Sequence, residues 1–124
     1  MKAIMAIAKK RNLLVIEDAA HAHGAIYRNR PAGSLGHLAS FSFQSSKNMT
    51  SGEGGLITTN DGALAAECRS IHNFERIPTG IWCEHHIIVG NYRLGEFQDA
   101  VLNGQCIAAH YCPVKSEPTL ISSR

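Results

Sequence analysis

An α/β fold is predicted for this 124-residue chain by three features of its sequence. Leu13-Leu14-Val15-Ile16 is an unbroken apolar run ending in Glu17-Asp18, the pattern of a strand buried on both faces, as in a parallel sheet covered by helices. A helical pattern precedes it, so that helix, short turn and buried strand make half of an α/β unit. Two further short strand patterns are then followed by two helical ones. Apolar residues make up 44% of the chain and charged residues 18%, enough for a packed core and unlike a disordered segment.

Taken in order, residues 1–11 read as the end of a helix with Ile4, Ile7 and Ala8 on one face. The segment 39–43 alternates as a short strand, and 56–59 is the next. Between them, 44–55 is rich in Ser and Gly and too polar for a core. Asn60 or Asp61 is placed to cap a helix running to about Ile71, with Leu64, Ala65, Cys68 and Ile71 inward. Residues 72–93 look irregular and hold His72, Arg76, Trp82, His85, His86 and Gly90. A last helix is expected over 94–109, with Leu94, Phe97, Val101 and Ile107 as its apolar positions. Gly104 weakens that helix by about 1 kcal/mol relative to alanine. Three strands and so few helices would leave much of a parallel sheet bare, so the chain is expected to be a piece of something larger.

Twelve Lys and Arg against 10 acidic residues give a net charge of +2, too small and too scattered to point to nucleic acid or an anionic membrane. The apolar run from Ala3 to Ala8 is far shorter than the roughly 20 residues of a membrane span. Lys9-Lys10-Arg11 follows it where a signal peptide would have a small-residue cleavage site. Cys68, Cys83, Cys106 and Cys112 form no C-x-x-C pair and no zinc-type spacing. Reduced thiols in a cytoplasmic protein are the expectation.

Two residues carry candidate chemistry. Asp18 follows the first strand directly, and ligands of open α/β sheets bind beyond the carboxyl ends of strands. Taken alone, the position better suits a carboxylate capping a turn or the next helix. Lys47 stands apart from Lys2, Lys9, Lys10 and Lys115, inside the small-residue loop Gln44-Ser45-Ser46-Lys47-Asn48. A lysine held at a sheet edge is a candidate nucleophile toward a carbonyl, and otherwise an ordinary solvated side chain. Ser51-Gly52-Glu53-Gly54-Gly55 lacks the spacing of a phosphate-binding fingerprint and fits either a close approach to a ligand or a plain turn. His21 and His23 would face one side of an extended chain, and His85-His86 is a second pair. No third ligand follows at metal spacing, and no metal is expected.

These segments occur in one order: Ile16-Glu17-Asp18-Ala19-Ala20-His21-Ala22-His23-Gly24-Ala25, Gly33-Ser34-Leu35-Gly36, and Phe41-Ser42-Phe43-Gln44-Ser45-Ser46-Lys47-Asn48. Gly52-Glu53-Gly54-Gly55, Ile71-His72-Asn73-Phe74 and Gly90-Asn91-Tyr92-Arg93-Leu94, with Glu96 and Gln98, complete the series. The succession resembles the DegT/DnrJ/EryC1/StrS family of pyridoxal-phosphate-dependent aminotransferases from about Ile4 to Gln105. The resemblance implies part of the large domain of a fold-type I transferase over residues 1–105, truncated at both ends, and an atypical tail over 106–124.

It also implies roles. Lys47 matches the lysine that bonds to pyridoxal 5'-phosphate, and Asp18 the carboxylate under the pyridine nitrogen, which keeps that nitrogen protonated. Ser42 matches the hydroxyl that binds the cofactor phosphate. His21 stands near the phenolic oxygen, where the family often has glutamine. Asn91 matches an asparagine that reaches the phosphate of a neighbouring subunit, which implies a homodimer. The implied reaction moves an amino group from glutamate or glutamine to a keto-sugar nucleotide or a cyclic ketone. A dehydratase branch of the family has histidine at the lysine position, and Lys47 argues against it. Glu75 stands where Gly-Arg is usual before Arg76. The family's segment that supplies backbone amides to the phosphate and an aromatic to the ring is expected to be missing from these residues, as is its C-terminal domain. A catalytically silent truncated member, associating only with intact relatives, is the alternative expectation.

Overall fold

Helix α1 (Lys2–Arg11) ends because Asn12 takes a left-handed conformation, φ 53°, which a short polar side chain tolerates. The Asn12 and Leu13 amides close the last turn on the carbonyls of Lys9 and Ala8. Lys9, Lys10 and Arg11 complement the negative end of the helix dipole. The coordinates are a computed structural model that describes residues 1–72 and 90–111.

A three-stranded sheet follows, built from β1 (Ile16–Asp18), β4 (Leu38–Ser42) and β5 (Gly55–Thr58) in the order β1-β4-β5. The expected parallel sheet is mixed: β1 runs parallel to β4, and β5 runs antiparallel to it. Between β1 and β4 lies a small hairpin of β2 (Ile26–Tyr27) and β3 (Arg30–Pro31). Arg28 and Asn29 form its two-residue turn, both at positive φ, the mirror-image turn that matches strand twist. Helix α2 (Gly62–His72) starts as expected, with Asp61 Oδ1 accepting from the Ala63 and Leu64 amides at 2.8 and 3.1 Å. Helix α3 (Glu96–Tyr111) runs on across residue 105.

Alternation along the strands sorts the sheet into two faces. Glu17, Ala39, Phe41 and Thr58 share one, and the segment from Ala19 to Gly36 covers it; Ala19, Leu35, Ala39 and Phe43 are buried. Ile16, Asp18, Ser40 and Ile57 share the other, where Ile16 is 66% exposed and Ile57 56%. The first strand is therefore not buried on both faces. It is also shorter than its apolar run, since Leu13 and Leu14 lie outside it and are exposed. The expected apolar faces of α1 and α3 are likewise open, at Ile4 and Ile7 and at Phe97, Val101 and Ile107; Ala8 and Leu102 are the buried positions. On α2, Leu64, Ala65 and Cys68 are half-buried and Ile71 is exposed. Arg76, Trp82, Cys83, His85, His86 and Glu75 lie outside the described residues, as does the tail from Cys112.

Candidate active site

Glu17, on the covered face, organises the ground beneath the site. Its Oε1 accepts from the Leu35 and Gly36 amides at 2.6 and 2.7 Å, and its Oε2 from Gly33 at 3.1 Å. A carboxylate on a covered sheet face needs such partners, and three backbone donors supply them. Gly33 is held at φ 87° with Phe41 against it: a Cβ there would meet the ring at 2.6 Å, so only glycine fits. Thr58 Oγ1 donates to the Gly33 carbonyl at 2.8 Å, tying the same loop to β5.

Asp18 ends β1 opposite Ser40, and its Oδ1 accepts from the Ala20 amide at 3.1 Å. The chain then turns: the Ala19 amide bonds the Ser40 carbonyl at 2.9 Å, and Ala22 closes on Ala19. This turn carries His21. On the adjacent strand, Ser42 ends β4 on the same sheet face as Asp18. Its Oγ accepts from the Gln44 amide at 3.3 Å. The Gln44 carbonyl takes the Lys47 amide at 3.0 Å, and Gln44 Oε1 takes the amide and hydroxyl of Ser46.

Lys47 Nζ and His21 Nε2 meet at 2.7 Å, joining the two loops that leave the carboxyl ends of β1 and β4. The structure thus gathers Asp18, His21, Ser42 and Lys47 on neighbouring segments at one end of the parallel pair, where open α/β sheets hold ligands. Asn91 is not hydrogen-bonded to any of them among the described residues. Its Oδ1 accepts from the backbone and side chain of Arg93. Leu94, three residues on, lies against Gly54 in the loop that follows Lys47.

Three features escaped the sequence reading. Gln105 of α3 clasps the backbone of Thr50, its Oε1 accepting from the amide at 2.8 Å and its Nε2 donating to the carbonyl at 2.6 Å. That clasp anchors the lysine loop from 55 residues away in sequence, and no local pattern announces it. Glu17 was legible only as a strand end. His23 sits between Phe41 and Phe43, with ring centroids 5.3 and 5.5 Å away, and neither buried ring nitrogen is hydrogen-bonded among the described residues. His21 and His23 therefore do not converge. Among the described residues no cluster of three His, Cys, Asp or Glu side chains is arranged for a metal, and no helix is long and apolar enough to cross a membrane. Cys68 and Cys106 are free thiols. A cavity of about 580 Å³ lies elsewhere, between α1 and His37.

The DegT/DnrJ/EryC1/StrS aminotransferase family model matches residues 1–109. GDP-perosamine synthase of Caulobacter vibrioides is 48% identical over 103 residues, 82% of this chain and 27% of that protein. L-glutamine:2-deoxy-scyllo-inosose aminotransferase of Micromonospora echinospora is 38% identical over 114 residues, 85% of this chain and 27% of that one. The crystal structure of an aminotransferase from Psychrobacter cryohalolentis superposes with a TM-score of 0.76 at 36% identity, covering 89% of this chain and 30% of its own. The chain thus spans about a quarter of the length of the curated relatives it matches.

Proposed function

Because this chain belongs to the DegT/DnrJ/EryC1/StrS aminotransferase family, we propose that it carries the lysine-bearing part of a site that moves an amino group onto a ketone. The donor in this reading is glutamate or glutamine, and the acceptor a keto-sugar nucleotide or a cyclic ketone. One relative is named for L-glutamine and 2-deoxy-scyllo-inosose, another for GDP-perosamine, and both names support that class. The observation that carries the reading is the meeting of Lys47 with His21 at 2.7 Å, at the end of the sheet where Asp18 and Ser42 share a face.

These side chains suit pyridoxal 5'-phosphate: an amine for its aldehyde, a carboxylate for its ring nitrogen and a hydroxyl for its phosphate. When bound, that cofactor supplies an aldehyde for amine exchange and a ring that takes up electrons. Lys47 would hold it, and once displaced by substrate would carry a proton at Nζ. Asp18 would keep a proton on the ring nitrogen, Ser42 would bind phosphate, and His21 would hydrogen-bond the phenolic oxygen. Asn91 would reach the phosphate held by a second subunit, making the working form a homodimer. Its free thiols suit a cytoplasmic setting.

The test is to add pyridoxal phosphate, reduce with borohydride and map the digested peptides. The phosphopyridoxyl group is expected on Lys47, and in Lys47→Ala no other lysine takes its place. Uptake no greater at Lys47 than at Lys2, Lys9 and Lys10 overturns the reading and leaves a catalytically silent family member.

A further inference from the structure

Resting on the reading that Lys47 bonds to pyridoxal phosphate, we propose that Gln105 is a positioning residue for that lysine. From α3 it fixes the neck of the loop that presents Lys47 at the carboxyl end of the sheet.

The chain runs on from β4 into Phe43, whose amide donates to the Gly54 carbonyl at 2.8 Å. The Phe43 carbonyl takes the Ser51 amide and the Thr50 hydroxyl, each at 3.0 Å. Residues 44–50 are thus a loop closed at its neck, with Lys47 half-buried in its middle. Within it, the Lys47 amide bonds the Gln44 carbonyl, and Gln44 Oε1 takes the Ser46 amide. All of these bonds are local. They give the loop its shape but do not hold it against a more distant element.

Among the described residues, two hydrogen-bonded contacts tie the loop to such an element: Lys47 Nζ with His21, and Gln105 with Thr50. The first is made by the reacting nitrogen itself. The second does not depend on what Lys47 is bonded to. Gln105 takes the Thr50 amide at 2.8 Å and donates to the Thr50 carbonyl at 2.6 Å, so the peptide groups on both sides of Thr50 are held in one orientation. Both residues are half-buried, and an unclasped Thr50 would leave a donor and an acceptor short of partners.

The helix is itself seated where the clasp needs it. Leu102, on the same helix face three residues before Gln105, is 8% exposed, and Leu94 lies against Gly54 beside the neck. The face bearing Leu102 and Gln105 is therefore turned inward, while Phe97, Val101 and Ile107 are exposed. A lysine loop that holds its productive position only part of the time binds its carbonyl partner more weakly by that fraction. Gln105 acts on that fraction and touches no reacting atom.

The full chain is incubated with a concentration series of pyridoxal phosphate and reduced with borohydride, and the phosphopyridoxyl group is quantified lysine by lysine by mass spectrometry. In wild type, Lys47 is expected to saturate, while Lys2, Lys9 and Lys10 set the background. Gln105→Met keeps the side-chain length and removes both hydrogen bonds. The concentration that half-saturates Lys47 should rise about tenfold, with the level at saturation unchanged. Gln105→Glu keeps an acceptor for the Thr50 amide but has no donor for the carbonyl, and should raise it too. Leu102→Ala separates positioning from stability: it should lower the urea midpoint at least as far as Gln105→Met and leave half-saturation where it is. Half-saturation at the wild-type concentration in either folded Gln105 variant, or an equal rise in Leu102→Ala, overturns the proposal. Loss of far-ultraviolet circular dichroism in both Gln105 variants would make the residue structural and overturn it as well. Wild-type labelling of Lys47 no greater than that of the α1 lysines defeats the functional reading and this inference with it. Selective labelling that is the same in wild type and Gln105→Met defeats this inference alone.

Discussion

Glu17 shows how one side chain organises a region larger than itself. Its two oxygens take three backbone amides from Gly33, Leu35 and Gly36, and so hold the loop that covers one face of the sheet. Glu17→Ala leaves those donors without partners and should cost about 3 kcal/mol of unfolding free energy, read from urea titration. Gly33→Ala attacks the same loop from the other side, through a positive φ and a Cβ driven into the Phe41 ring. A loss of about 2 kcal/mol is expected, and an unchanged midpoint would show that the loop can shift away from Phe41. At the same scale, His21 and Lys47, 26 residues apart in sequence, meet at 2.7 Å.

Among the elements, α3 and the lysine loop behave as one unit because Gln105 holds both hydrogen-bonding groups of Thr50. Gln105→Leu keeps the helix but removes the clasp. Amide hydrogen exchange in residues 47–52 should then quicken about tenfold while α2 is unaffected; equal exchange would assign the loop's order to its own turns. The β2–β3 hairpin is a second case. Its Arg28-Asn29 turn requires positive φ at both residues, and arginine is a poor choice for that conformation. Replacing the pair with Asn-Gly should stabilise the chain by about 0.5–1 kcal/mol, seen as a higher melting temperature.

Among the described residues, only one face of the sheet is covered. One sheet face is closed by the segment from Ala19 to Gly36, while Ile16 and Ile57 on the other, and Ile4, Ile7, Phe97 and Ile107 on the helices, remain exposed. Apolar surface of this kind binds hydrophobic dyes and promotes association. The chain should raise the fluorescence of anilinonaphthalene sulfonate, and Ile16→Ser with Ile57→Ser should lower the signal without changing far-ultraviolet circular dichroism. A silent dye titration would mean that the open face is covered in solution.

The helices α1 and α2, the cap at Asp61 and the strands β4 and β5 were all readable from residue order, because capping and periodicity are local. The antiparallel placement of β5, the open face of β1, the Glu17 and Gln105 clasps and the 2.7 Å approach of His21 to Lys47 were decided only by tertiary structure. An apolar run records what a strand is able to bury, whereas burial itself needs a covering segment from elsewhere in the chain. Likewise, a hydrogen bond between distant residues depends on how loops are anchored in space, which no local pattern encodes.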